Sequence, residues 1–113
     1  MNKNDLIQCH KRIKPHIHNT PVLKSKLINE MSNAEIYFKC DNFQKMGAFK
    51  MRGATNAIMQ LSNSEKIKGV VTHSSGNFAQ ALSLGAKSLN VPAYIVMPES
   101  ATEVKKQAVK NYK

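Results

Sequence analysis

Lys50 stands in an uncommon place. It follows Gly47-Ala48-Phe49 and opens a run in which Met51, Ala54, Ile58 and Leu61 recur at helical spacing. That spacing predicts a helix over about 49–60. Helix starts disfavour cations, because the macrodipole is positive there. A lysine there, with a glycine turn before it and Phe49 and Arg52 beside it, suits an amine that attacks a carbonyl. One solvated lysine among many is the competing reading, and this segment alone does not separate the two.

A second candidate is Ser74-Ser75-Gly76-Asn77, with Phe78 behind it. It lies between a β-prone run ending near Thr72 and a helical stripe made by Phe78, Leu82, Gly85 and Leu89. Free backbone N–H groups at a helix start, two hydroxyls and a glycine permitting close approach make a cradle for a carboxylate or phosphate. The same four residues are also ordinary turn and N-cap chemistry.

The elements that position these loops follow from periodicity. Leu6, Cys9, Ile13 and Ile17 predict an opening helix that Pro15 bends or ends. Asn19-Thr20-Pro21 reads as a loop, and a short helix is expected from about Ser25 to Met31. Glu35 to Cys40 reads as a strand, and Ser62-Asn63-Ser64 closes the Lys50 helix. Gly69-Val70-Val71-Thr72 and Ala93-Tyr94-Ile95-Val96-Met97 predict two strands joined by the helix behind Asn77. The second is so continuously apolar that burial on both faces of a parallel sheet is expected. A final helix starts near Thr102 or Glu103. The fold class is therefore α/β with a parallel sheet, and ligands bind such sheets at the carboxyl ends of their strands. A sheet of two or three strands, ending inside a basic helix at Asn111-Tyr112-Lys113, lacks a covering layer, so an incomplete chain is expected.

Composition narrows the class. Hydrophobic residues make up 42%, too many for a disordered segment. No apolar leader follows Met1, and the longest mostly apolar stretch, Val91 to Pro98, cannot span a bilayer, so a cytoplasmic chain without membrane contact is expected. Cys9 and Cys40 form no metal or redox pair and read as reduced thiols. His16 and His18 read as surface groups, His73 as support for the loop after it, and no metal site is signalled. The net charge of +10 raises nucleic acid as a partner. The cations are scattered, however, and Phe49 and Phe78 sit in turns, so nucleic acid is not expected. Between Asn42 and Pro98 the only acidic residue is Glu65, which suits an anionic ligand.

Taken together and in order, the two loops resemble the fold-type II enzymes that use pyridoxal 5′-phosphate, in particular the serine/threonine dehydratase and serine racemase family. The matching stretches are Asn19–Leu23, Lys39–Lys45, Gly47–Ala54, Thr72–Asn77 and Val91–Pro98, and they cover nearly the whole chain. The resemblance implies that Lys50 forms the Schiff base with the cofactor and then serves as the base at the substrate Cα. It places Phe49 beside the cofactor ring and Asn77 on its phenolic oxygen. Ser74, Ser75, Gly76, Asn77 and Phe78 would hold the substrate carboxylate. Ser75 would face Lys50 across the cofactor, as in racemases of the family, where many dedicated threonine dehydratases have alanine.

The expected activity is dehydration and deamination of L-serine or L-threonine to a 2-oxo acid and ammonia, with serine racemisation at the same site as the alternative. The phosphate loop, the residue facing the pyridine nitrogen and the ligands of a divalent cation all fall beyond this chain, which by itself is expected to be inactive. Residues 1–68 would belong to the larger cofactor domain and 69–113 would begin the smaller one, in a protein that forms a homo-oligomer when full length. The sequence departs from the pattern at Phe78 and Ala79, where many relatives have histidine followed by glycine or alanine, and at Ala48, which replaces a common serine. Cysteine synthase-like β-replacement is disfavoured by Lys50-Met51-Arg52-Gly53 and by the serine-led loop. A non-catalytic remnant is the reading from a different class, against which the intact Lys50 and Ser75 stand.

Overall fold

The structure is a computed structural model describing residues 1–112. Helix α1, Lys3–Ile13, is opened by a reciprocal capping box between Asn2 and Asp5. It stops where Pro15 enters a 3-10 turn over Lys14–His16, because proline has no N–H to continue the ladder. Ile17, placed by spacing on the same helix, is instead extended. A two-residue strand β1, Val22–Leu23, precedes helix α2, Lys26–Ser32, which Ser25 caps.

Strand β2 is only Phe38–Lys39, shorter than the run Glu35–Cys40. Its one partner is β1, antiparallel, with Leu23 opposite Phe38. A strand extends only as far as a neighbour offers hydrogen bonds, and β1 offers two residues. Helix α3, Lys50–Met59, carries the predicted buried face of Met51, Ala54 and Ile58. Ser62 does not close it. That serine caps a further short helix α4, Asn63–Lys68, through a capping box with Glu65. The Ser-x-x-Glu signature was present in the sequence.

Strand β3, Val70–His73, runs parallel to β4, Ala93–Val96, with Val70 opposite Ala93. Helix α5, Asn77–Ser88, crosses between them, and α6, Glu103–Lys110, follows. Helix α5 packs on α3, on both parallel strands and on α6. One apolar core results, built from Ala54, Ile58, Ala81, Leu82, Ala86 and Val91, with Met46, Val70, Leu89, Ala93 and Ile95 against it. The opposite sheet face is open: Val71, Tyr94 and Val96 are all more than half exposed. Thus β4 is buried on one face, where its sequence predicts two. The radius of gyration, 16.6 Å, exceeds the value of about 13 Å expected of a compact domain this long.

Where α5 meets α3, Gly85 faces Thr55 and Ile58. Thr55 is fully buried and its hydroxyl has no hydrogen-bond partner. An unpaired buried hydroxyl costs about 1–3 kcal/mol. Replacing it by a methyl of similar shape, Thr55→Val, should therefore raise stability by about 1 kcal/mol, read as a higher urea midpoint at unchanged slope.

Candidate active site

The loop into Lys50 is built from two successive 3-10 turns, Asp41–Phe43 and Lys45–Gly47. Met46 at φ 56° and Gly47 at φ 76° both lie in the left-handed region. Glycine takes that conformation freely, whereas methionine does so at a cost of about 1–2 kcal/mol. The Met46 side chain packs against the core, which offsets the strain. The reversal turns the chain so that Ala48 is buried while Phe49 and Lys50 emerge at the start of α3. Phe49 is 60% exposed. The Lys50 amine lies 5.0 Å from the centre of the Phe49 ring and has no carboxylate or hydrogen-bond partner among the described residues.

Arg52 is not a companion charge for Lys50. Its Nε and Nη2 donate to the two carboxylate oxygens of Asp41, each at 2.8 Å. Nη2 also reaches Thr20 Oγ1 at 3.2 Å, and that hydroxyl donates to Asp41 at 2.6 Å. Lys39 Nζ donates to the Thr20 carbonyl. Beside this network the buried Gln44 amide accepts from the backbone N–H of His18 at 2.8 Å and donates to its carbonyl at 2.9 Å. Thr20 and Gln44 are 4% and 3% exposed. Two segments distant in sequence, 18–20 and 41–52, are thereby tied together.

The Arg52 hydrogen bonds hold the Asp41 carboxyl down at about 2, from an ordinary 3.8. A carboxyl whose folded pKa is depressed contributes stability that is complete above its unfolded pKa and is lost as pH falls through the folded one. The network should therefore weaken between about pH 4 and pH 2. With both side chains partly in water, the loss is on the order of 1 kcal/mol. Urea melts across that range should show it, and Asp41→Asn should remove this part of the acid dependence while lowering stability at neutral pH.

The second loop leaves β3 at Ser74, whose N–H still donates to the Val96 carbonyl. Ser74 Oγ accepts from the Gly76 N–H at 3.3 Å. Gly76 is the N-cap of α5 and offers no side-chain cap. The Ala79 N–H turns back to the Gly76 carbonyl. Among the described residues no acceptor meets the N–H groups of Ser75, Asn77 or Phe78, and the Ser75 hydroxyl has no partner. Such a helix start, with the positive end of the dipole behind it, is an anion site. Ser74, Ser75 and Gly76 are half-buried, whereas Asn77 and Phe78 are exposed.

The helices that begin at the two loops, α3 and α5, pack directly on one another, and the 3-10 turn before Lys50 also touches α5. The sequence named every residue of both loops but assigned no role to Thr20, Asp41 or Gln44. Opposite charges at Asp41 and Arg52 were the one available signal, and they lie 11 residues apart across an irregular loop. His73 is exposed, His16 is half-buried, and His18 Nδ1 lies 3.1 Å from the Phe43 carbonyl oxygen. Among the described residues no group of three or more His, Cys, Asp or Glu could hold a metal ion. No described helix is long and apolar enough to cross a membrane.

Comparison with known proteins places this arrangement. The family profile described as pyridoxal-phosphate dependent enzyme matches residues 13–113. A serine racemase of Dictyostelium discoideum is 55% identical over 108 residues, 96% of this chain and 33% of that protein. An L-threo-3-hydroxyaspartate ammonia-lyase of Saccharomyces cerevisiae is 52% identical over 108 residues, again 96% of this chain and 33% of the relative. The crystal structure of the Dictyostelium racemase superposes with a TM-score of 0.93 at 54% identity, covering 96% of this chain and 36% of that one. The chain belongs to the family of pyridoxal-phosphate dependent enzymes. Its architecture is the α/β, fold-type II one that the motifs imply. It spans about a third of the length of the curated relatives it matches.

The residues present fit the aldehyde and ring of that cofactor. Lys50 offers an unpaired amine beside an exposed aromatic ring. A methyl group added at Gly53, one turn after Lys50, or at Gly76 would meet nothing within 4 Å. Open space therefore lies beside the first turn of α3 at Gly53 and beside the second loop at Gly76, where a ligand can approach.

Proposed function

We propose that this chain carries the reactive lysine and the substrate-carboxylate cradle of an enzyme that removes the Cα proton of a small 3-hydroxy amino acid. The observation that carries the reading is the pairing of the unpartnered Lys50 amine with the uncapped start of α5, on two helices that pack together. Lys50 would hold the cofactor through its amine and, once freed by substrate, would take the proton from Cα. Phe49 would lie beside the cofactor ring, and Asn77 would donate to its phenolic oxygen. The free N–H groups of Ser75, Asn77 and Phe78 bind the substrate carboxylate, with Ser74 bracing the loop by accepting from the Gly76 N–H. When bound, the cofactor supplies the sink for the electron pair left on Cα.

Two outcomes then compete at one site. Loss of the β-hydroxyl as water gives an enamine, which tautomerises to an imine and is hydrolysed by water to a 2-oxo acid and ammonia. Return of a proton to the opposite face gives the other enantiomer. The unpartnered Ser75 hydroxyl favours the second outcome alongside the first, because it can hold a proton where no neighbour already claims it. The similar proteins include both a racemase and an ammonia-lyase, which supports dehydration and racemisation equally. In the longer protein we place residues 1–68 in the cofactor domain and 69–113 in the smaller domain, within a homo-oligomer. Two unpaired thiols, Cys9 and Cys40, accord with a reducing, cytoplasmic setting.

Incubation of the full-length protein with pyridoxal 5′-phosphate, borohydride trapping and peptide mapping test the reading. A single dominant adduct on Lys50 supports it. Label spread evenly over the surface lysines overturns it.

A further inference from the structure

We propose that Thr20, Asp41 and Arg52 form a positioning device that fixes the first turn of α3 and so aims the Lys50 amine. The inference rests on Lys50 being the reactive amine and adds how that amine is held.

Helix α3 begins without the usual support. Its N-cap is Phe49, which makes no side-chain cap, and the Met51 and Arg52 N–H groups turn back to the carbonyls of Ala48 and Phe49. A helix start of that kind frays unless something else restrains it. The restraint is Arg52, the third residue of the helix. Its two-point fork on Asp41, both bonds at 2.8 Å, fixes orientation as well as distance, which a single contact would not. Thr20 closes the triangle by donating to Asp41 at 2.6 Å and accepting from Arg52 at 3.2 Å.

The placement is as informative as the bonds. Two residues along an α-helix correspond to a rotation of about 200°. The clamp therefore grips the first turn on the side away from Lys50 and leaves the lysine side clear. The Arg52 and Asp41 side chains are 25% and 15% exposed and Thr20 is 4% exposed, so the clamp is only partly open to water. Pairing with Asp41 also cancels the Arg52 charge, which would otherwise draw a substrate carboxylate away from the start of α5.

The test, made in the full-length protein, compares Asp41→Asn, Thr20→Val and Thr20→Ser with wild type and with Ile58→Val. The last removes one buried methylene from the core and touches none of the three residues. Each protein is labelled with pyridoxal 5′-phosphate and borohydride well below its melting temperature, and the Lys50 label is measured relative to that on the other lysines. The expected result is at least a fivefold fall in that ratio for Asp41→Asn and Thr20→Val, with Thr20→Ser and Ile58→Val near wild type. A normal ratio in folded Asp41→Asn and Thr20→Val overturns the proposal, as does an equal fall in Ile58→Val. If Asp41→Asn does not fold, Thr20→Val decides, since it keeps the ion pair. A wild-type chain without Lys50 selectivity sinks the functional reading itself, whereas a selective wild type with unaffected variants sinks only the positioning role.

Discussion

Lys50→Ala should leave the fold unchanged and abolish cofactor-dependent chemistry. The side chain is exposed and makes no hydrogen bond or ion pair among the described residues; its only aromatic contact is the Phe49 ring at 5.0 Å. Removing it should therefore shift stability by no more than about 0.5 kcal/mol, as for other surface substitutions. Its expected chemical effect is far larger. On the proposed reading one amine both holds the cofactor and moves the Cα proton, and losing a general base alone costs about 10²- to 10⁴-fold. In the longer protein, turnover of serine to either product should fall by at least that factor, and the absorbance of bound cofactor should shift to that of a non-covalent complex. Lys50→Arg keeps the charge but not the nucleophile, so it should fail equally. Cofactor-dependent turnover surviving in both variants would sink the assignment of Lys50.

Gly69→Ala should be the most damaging small substitution in the described fold. Gly69 ends α4 at φ 89° and ψ −176°, a region that essentially only glycine occupies. A methyl group there would sit 2.6 Å from the Pro92 carbonyl oxygen and 3.0 Å from its Cβ. That same oxygen accepts the Val70 N–H at 2.8 Å and opens the pairing of β3 with β4. Backbone strain and the clash should together cost about 3 kcal/mol or more, a large share of the 5–15 kcal/mol that typical domains possess. The midpoint of thermal unfolding should drop by on the order of 10 °C. Strand β3 delivers Ser74 to the site, so anion binding at the start of α5 should weaken with it. A melting curve within a degree or two of wild type would show that Pro92 can move aside.

Both variants separate what local sequence encodes from what it does not. The core faces of α3 and α5 were legible because one turn of a helix repeats within four residues, so Met51, Ala54 and Ile58 declare their side by spacing alone. Strand β2 was overextended and β1 missed, since a strand exists only through a partner elsewhere in the chain and short apolar runs do not name theirs. Ser62-Asn63-Ser64 reads as a helix end, yet Ser62 starts α4, because a turn-forming serine serves either side of a boundary.

What the sequence by itself determined was the identity of the candidate groups: an amine at the head of one helix, hydroxyls and a glycine at the head of another, and the order in which they come. Those are local facts, carried by residue type and by spacing within one turn or one loop. Only the tertiary structure decided that α3 and α5 lie against each other, that Gly69 meets Pro92, and that Arg52 belongs to Asp41 and Thr20 rather than to Lys50. The Thr20 contacts span 21 and 32 residues. Hydrogen bonds over such separations leave no periodic trace, because they arise from the path of the chain through space and not from its repeat.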